Sequence, residues 1–130
     1  MKACAVPERI RNWIECINSQ DIEKLASHMS ADHTFFVEGE EPTVGIESNQ
    51  QAWSAYFSAF PNYKIHIDSA YEDHGVFYLL GHTKGSHVPA DLESIPESVI
   101  WKATLEADTL SEWIIFDGTR RHSLGISNDV

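Results

Sequence analysis

The chain has 130 residues, of which 42% are hydrophobic and 22% are charged. This composition is typical of a globular domain with a buried core, and we expect residues 1–130 to fold as a single domain. Asp and Glu number 20 against 9 Lys and Arg, which gives a net charge of −11. A surface this acidic repels nucleic acid and anionic membranes, so we expect neither as a partner.

The sequence also limits the compartment and the bound groups that we expect. It contains no apolar run near the ~20 residues of a membrane span and no stretch typical of a signal peptide, which predicts a cytoplasmic protein. Its two cysteines, Cys4 and Cys16, are too few for a disulfide framework or a cysteine-based metal site. It has no phosphate-binding loop or dinucleotide-binding motif, and its seven histidines show no spacing typical of a metal site, so we expect no cofactor and no metal.

The N-terminal segment is predicted to form two helices. Apolar residues recur at helical spacing in the first one: Ile10, Trp13, Ile14 and Ile17. Pro7 stands near its start, where a missing N–H is harmless. Either Ser19 or Asp21 can cap a second, shorter helix that carries Ile22, Leu25 and Met29.

A strand and a third helix follow. Residues 33–38 are rich in aromatic and β-branched side chains, which predicts a strand. Residues 47–60 are predicted to be helical, with Ser48 and Gln51 as a capping box and Pro61 as the stop. One face of this helix is aromatic: Trp53, Tyr56, Phe57 and Phe60. This face either packs in the core or lines a cavity.

The second half of the chain is predicted to form four strands: residues 63–72, 76–87, 97–107 and 111–117. Asp73-His74-Gly75 is a hairpin turn signal, residues 88–96 form a loop and residues 108–109 form a short turn. Consecutive strands with tight turns predict an antiparallel sheet with the helices on one face. The fold class is therefore α+β, with a curved sheet wrapped around three N-terminal helices. Such a sheet leaves a cone-shaped hollow suited to a small molecule.

Four phrases of the sequence resemble a known superfamily: Ala-Phe-Pro-Asn-Tyr (59–63), Gly-His-Thr-Lys-Gly (81–85), Leu-Ser-Glu-Trp-Ile-Ile-Phe-Asp (110–117) and Ser-Leu-Gly (123–125). With the element order, they are similar to the nuclear transport factor 2-like superfamily, which includes ketosteroid isomerase and the SnoaL-like polyketide cyclases. The likeness runs over residues 8–126. It implies a cystatin-like cone, and it leaves isomerases, cyclases, dehydratases and proteins without chemistry all open.

Asp117 is the first catalytic candidate. It follows Trp113 and Ile115 on one face of the last strand, and the SnoaL-like cyclases are similar here, with an aspartate as acid/base. A carboxyl group beside Trp and Ile loses water, so its pKa is expected to rise toward neutrality. The alternative is a strand-end aspartate that forms a turn with Gly118 or pairs with Arg120.

Glu38 and His82 are the other catalytic candidates. Glu38 ends the first predicted strand, where ketosteroid isomerase looks similar in carrying its basic aspartate; the alternative is a solvated acidic loop with Glu40 and Glu41. His82 lies in the middle of a long strand, where its imidazole could reach the hollow and orient a substrate oxygen. The alternative is a structural histidine.

For each large apolar side chain taken alone, core packing is the preferred interpretation, but together they are expected to wall the pocket: Trp13, Trp53, Phe57, Trp101, Trp113 and Ile115. The sequence predicts a cofactor-free acid/base enzyme acting on a small apolar carbonyl compound, without identifying a group that would stabilise an oxyanion. A binding protein without turnover and a structural module remain alternatives. Ile114 and Phe116 on the outer sheet face predict a homodimer.

Overall fold

The computed structural model describes residues 1–126 and has a mixed α+β fold. Its helices are α1 (Glu8–Ser19), α2 (Ile22–Ser27), α3 (Ile46–Ala59) and α4 (Ala90–Glu93). Its strands are β1 (Lys2–Ala3), β2 (Met29–Val37), β3 (Thr43–Val44), β4 (Lys64–Asp73), β5 (Val76–Lys84), β6 (Val99–Glu106) and β7 (Thr109–Asp117). No helix within these residues is long and apolar enough to cross a membrane.

The strands form one curved, unclosed sheet in the order β1-β4-β5-β6-β7-β2-β3. Tight turns connect β4 to β5 and β6 to β7, and all neighbouring strands are antiparallel except β2 and β7. Because β2 reaches β7 only through the helix α3 and the four-strand meander, this pair can be parallel. The predicted curved, mixed sheet of the α+β class is confirmed.

Helices α1–α3 cover the inner face of the sheet because each has an apolar side. In α1, Ile10, Trp13 and Ile17 are fully buried. They pack against inward-facing residues of the sheet such as Trp101 and Trp113. Burial of side chains of this size contributes roughly 1.5–3 kcal/mol each. This inner packing forms the main core and fixes the helices over the sheet.

The outer face of the sheet carries a smaller apolar cluster. Leu80 and Ile100 pack against Ile126, which is 1% exposed, while Phe116 lies at the edge of the same cluster. The segment that follows β7 therefore covers part of the outer face. The predicted orientation of the β7 side chains is confirmed, since Trp113 and Ile115 pack in the inner core and Phe116 packs on the outer face.

Several predicted boundaries and caps are wrong. The second helix ends at Ser27, and Met29 begins β2, four residues before the predicted strand. Of its two candidate caps, the structure uses Asp21, whose side chain accepts a hydrogen bond from the amide of Lys24 at 3.1 Å. Helix α3 has Gly45 as its N-cap and no side-chain cap bond, so the capping box at Ser48 is wrong.

The loop after β5 also differs from the prediction. Strand β5 ends at Lys84 rather than at position 87, and the following loop contains the short helix α4. Gly85 breaks the strand because it adopts a φ of +71°, which glycine reaches without strain. A β-carbon there would lie 2.5 Å from the backbone oxygen of Asn62. The two residues that follow this turn, Ser86 and His87, line a cavity on the inner face of the sheet.

Candidate functional site

A cavity of about 290 Å³ lies between the inner face of the sheet and helix α3. Its lining comes from β2 and the loop that follows it, from α3, from the residue before β4, from β5 and the loop that follows it, and from β6 and β7. Phe35, Trp53, Trp101 and Ile115 form much of its apolar wall. The volume falls at the small end of ligand sites, which suits a molecule of one or two rings.

Polar groups gather at one end of this cavity. The hydroxyl of Tyr56 lies 2.9 Å from Nδ1 of His87, and the backbone amide of His87 donates to the same hydroxyl at 3.3 Å. This geometry allows the Tyr56 O–H to donate to Nδ1, which leaves Nε2 of the neutral imidazole to carry the ring proton. Tyr56 and His87 therefore form a coupled pair beside the cavity.

Tyr63 lines the same end and is only 5% exposed. Within residues 1–126, no hydrogen bond contributes to the pKa of its hydroxyl, and its ring lies 5.0 Å from that of Tyr56 between centroids. Burial, followed by the neighbouring Tyr56 and Glu93, raises the pKa of Tyr63, so the phenol stays protonated at neutral pH. The cavity thus contains a donor that a ligand oxygen can use.

Glu93 holds the loop that carries His87. It is 8% exposed, and its carboxylate accepts hydrogen bonds from the Thr83 hydroxyl at 2.8 Å, the Ser86 amide at 2.8 Å and the Gly85 amide at 3.1 Å. Burial by itself raises the pKa of Glu93, but these hydrogen bonds outweigh it and the net pKa is lowered. The carboxylate remains charged and fixes the loop against β5.

Asp117 does not reach the cavity. Strand β7 ends at this residue, and its exposed carboxylate accepts a hydrogen bond from the amide of Thr119 at 2.8 Å, at the start of a 3-10 turn. That bond lowers the pKa of Asp117. The prediction of a dry carboxyl group with a raised pKa is therefore wrong, and the alternative of a turn with Gly118 is correct.

Glu38 and His82 also lie outside the cavity lining. Glu38 forms an ion pair with Arg120 at the surface, and the carboxylate that lines the cavity belongs to Glu40. Side chains of successive strand residues face opposite sides, so Thr83 faces inward and His82 faces outward. Nδ1 of His82 lies 3.2 Å from the carboxylate of Asp68. The prediction that His82 reaches the hollow is wrong.

The six predicted ligand-binding residues divide into two groups. Trp53, Trp101 and Ile115 line the cavity. The other three lie in the core outside its lining: Trp13, Phe57 and Trp113. Trp13 and Trp113 contact each other at 5.7 Å between ring centroids, and this contact leaves no room for a ligand between them.

Sequence reasoning missed the polar end of the site. The sequence pattern predicts Tyr56 only as part of an aromatic helix face, Tyr63 as the start of a strand and His87 as the end of another. One signal was available, because Gly85 predicts that the strand breaks before His87. Within residues 1–126, no three His, Cys, Asp or Glu side chains are placed to hold a metal ion.

Comparisons with known proteins agree with this architecture. A family model described as SnoaL-like polyketide cyclase matches residues 8–97. The matched segment contains Tyr56, Tyr63 and His87 and ends before Asp117. No curated protein matches the chain.

Solved structures of the same fold come from several bacteria. A protein of Sinorhizobium meliloti described as a candidate polyketide cyclase has a TM-score of 0.73 at 14% identity, over 85% of this chain and 95% of that one. A cystatin-fold protein of Novosphingobium aromaticivorans has a TM-score of 0.70 at 19% identity, over 84% and 95%. A protein of Catenulispora acidiphila with a ketosteroid isomerase-like fold, solved in complex with trimethylamine, has a TM-score of 0.69 at 16% identity, over 86% of each chain. At these identities the likeness establishes the fold alone.

Proposed function

Since the chain belongs to the SnoaL-like polyketide cyclase family, we propose that it binds a small, mainly apolar carbonyl compound and moves a proton next to the carbonyl group without a cofactor. Isomerisation, cyclisation and dehydration all include such a step. The observation that carries this proposal is that Tyr63, which is only 5% exposed, lines the cavity beside the Tyr56–His87 pair.

Tyr63 is the proposed donor to the substrate oxygen. Removal of a proton from the carbon next to a carbonyl group places negative charge on that oxygen. A fixed hydroxyl in a cavity with little water stabilises this charge more strongly in the transition state than in the ground state. The raised pKa of Tyr63 supports this role, because the group keeps its proton at working pH.

Tyr56 and His87 are the proposed proton-transfer pair. The substrate proton moves to the Tyr56 oxygen while the Tyr56 proton moves to Nδ1 of His87, which becomes an imidazolium ion. The reverse transfer returns a proton to the substrate, so the protein is unchanged after each turnover. The 2.9 Å separation of the Tyr56 hydroxyl and Nδ1 supports direct transfer between them.

The test follows hydrogen exchange on a model ketone. The protein is incubated with 2-tetralone, a two-ring ketone, in D₂O, and loss of the proton next to its carbonyl group is followed by NMR. Wild type should accelerate the exchange, and Tyr63→Phe should lower the rate about 100-fold, which is a typical loss for one oxyanion donor. Tyr78→Phe is the matched control, because Tyr78 packs on the outer face.

A second candidate function is binding without turnover. It is favoured by the position of Asp117, since the carboxylate that resembles the family's acid/base stands outside the cavity. In that case 2-tetralone raises the melting temperature but wild type does not accelerate exchange. If neither 2-tetralone nor a panel of monocyclic and bicyclic ketones and lactones stabilises the protein, both functions are excluded.

A second copy of the chain is the proposed protein partner. Ile114 and Phe116 are half-buried on the outer face and leave apolar surface that a two-fold dimer would cover. Sedimentation equilibrium tests this proposal, and a monomer at micromolar concentration would contradict it.

A further inference from the structure

The charges around the cavity are all negative. Within the described part of the chain, no Lys or Arg lines it, and Glu40 is the charged side chain in its lining. Glu40 is also exposed, which places its carboxylate at the mouth. Behind the polar end, Glu93 holds a second negative charge that is bonded to Thr83 and Ser86.

The amides that could hold an anion are already in use. Amides of Gly85 and Ser86 donate to the carboxylate of Glu93 at 3.1 and 2.8 Å. The next amide, of His87, donates to the hydroxyl of Tyr56. A ligand anion at this end would therefore have to displace an internal carboxylate from the loop.

The two arginines that follow β7 lie outside the cavity lining and are paired with other residues. Arg120 forms its ion pair with Glu38, and Nη1 of Arg121 lies 2.6 Å from the carboxylate of Glu97. An anionic ligand would thus leave water for an apolar cavity whose lining offers no Lys or Arg, and Nδ1 of the lining histidine, His87, is already bonded to Tyr56. The cost of burying an unpaired charge is large compared with that of a neutral carbonyl group that receives one hydrogen bond.

From these three observations we propose that the cavity selects uncharged carbonyl compounds and rejects carboxylates and phosphates of the same shape, with Glu40 as a specificity-determining residue. This inference rests on the proposed function, because it concerns the ligand of the same cavity. Glu40 acts by repelling anions at the mouth, and Glu93 acts by occupying the amides that would otherwise receive one.

The test uses two probes of nearly equal shape. The neutral ketone is 2-acetylnaphthalene, and the anion is 2-naphthoate. Their dissociation constants are measured at pH 7.5 in low salt by quenching of tryptophan fluorescence, which reports on Trp53 and Trp101 in the wall. We expect wild type to bind the ketone at least 30-fold more tightly than the carboxylate.

Two charge-reversing substitutions test whether Glu40 is responsible for the preference for the ketone. Glu40→Lys should reduce the ratio of the two dissociation constants about tenfold, and added salt should weaken this change. The control is Glu41→Lys, which makes the same change in net charge at an exposed neighbour outside the lining. It should change the ratio less than twofold. The melting temperatures of both variants show whether the fold is intact.

The outcomes separate this inference from the proposed function. If neither probe binds and the ketone panel also fails, the proposed function is overturned and the inference falls with it. If wild type binds both probes with similar constants, the cavity is a binding site but the charge selection is refuted. If the two charge reversals change the ratio equally, net charge is responsible and the role of Glu40 is refuted.

Discussion

Replacement of Glu93 by Gln should loosen the loop that brings His87 to the cavity. One carboxylate oxygen accepts from Thr83 and Ser86, and the other accepts from Gly85. Glutamine retains one acceptor oxygen and turns an NH₂ group toward the remaining donor. Hydrogen bonds to a charged group contribute about 1.5–3 kcal/mol each, so losing one and weakening two should cost about 2–4 kcal/mol.

Urea unfolding of Glu93→Gln measures this loss. Asp91→Asn is the matched control, because Asp91 is exposed on the same short helix and the substitution removes the same charge. The free energy of unfolding of this control should stay within about 0.5 kcal/mol of the wild-type value. Hydrogen exchange of the Gly85 and Ser86 amides should accelerate in Glu93→Gln alone. Equal stability of wild type and Glu93→Gln, with unchanged exchange of these amides, would refute the bonding scheme.

The carboxylate of Glu93 also makes the stability of the fold depend on pH, and the direction follows from its lowered pKa. The folded-state pKa of Glu93 lies below its ordinary value of 4.5, because the hydrogen bonds outweigh the effect of burial. The unfolded chain therefore binds more protons in this range, and stability rises with pH. The contribution of Glu93 is complete above about pH 4.5 and is lost as the pH falls through the folded-state pKa. In Glu93→Gln, the free energy of unfolding should not show this part of the decrease at low pH.

Three further predictions test other features. Burial lowers the pKa of His33 from 6.5, although its bond to a carbonyl group opposes this. The unfolded chain therefore binds more protons below about pH 6.5, and the free energy of unfolding should decrease there by up to ~1.4 kcal/mol for each pH unit. Urea midpoints of His33→Asn should lose that slope, and profiles parallel to wild type would count against it. Gly81→Ala should cost about 3 kcal/mol in thermal unfolding, since the new β-carbon would lie 2.0 Å from the backbone oxygen of His66. Asp117→Ala should cost about 1 kcal/mol through its bond to Thr119 and leave 2-tetralone binding unchanged by calorimetry; a large loss of binding would restore Asp117 to the site.

The elements of the fold could be predicted because their apolar periodicity is strong. Ile10, Trp13 and Ile17 repeat with the period of a helix, and all three are fully buried in α1. The boundaries were harder to predict, because they depend on local backbone geometry. Gly45 caps α3 without any side-chain bond, and Gly85 ends β5 through its positive φ. Neither effect changes the apolar pattern of the flanking residues.

The face of β5 could not be determined from sequence because both faces are covered. Phe77 and Leu79 face the inner core, while Leu80 packs under the C-terminal segment on the outer face. The strand therefore lacks the apolar and polar alternation that identifies a half-exposed strand. Without that alternation, His82 could be assigned to either side, and only the paired Asp68 on the outer face settles its position.

The position of Asp117 shows why resemblance to a family motif did not locate the chemistry. Trp113 and Ile115 do face inward, so the motif predicts correctly which side of the sheet these residues face. The strand ends at the aspartate, however, and its exposed carboxylate accepts a hydrogen bond from the amide of Thr119 at the start of the next turn. The sequence offers no obvious group to stabilise an oxyanion, and the group proposed for this role is Tyr63, which lines the cavity and precedes β4. The polar residues of the cavity therefore do not lie at the end of β7, where the motif predicts them. They lie in α3, before β4 and after β5. The proposed chemistry of this chain therefore rests on Tyr56, Tyr63 and His87, and Glu93 anchors the loop that carries His87.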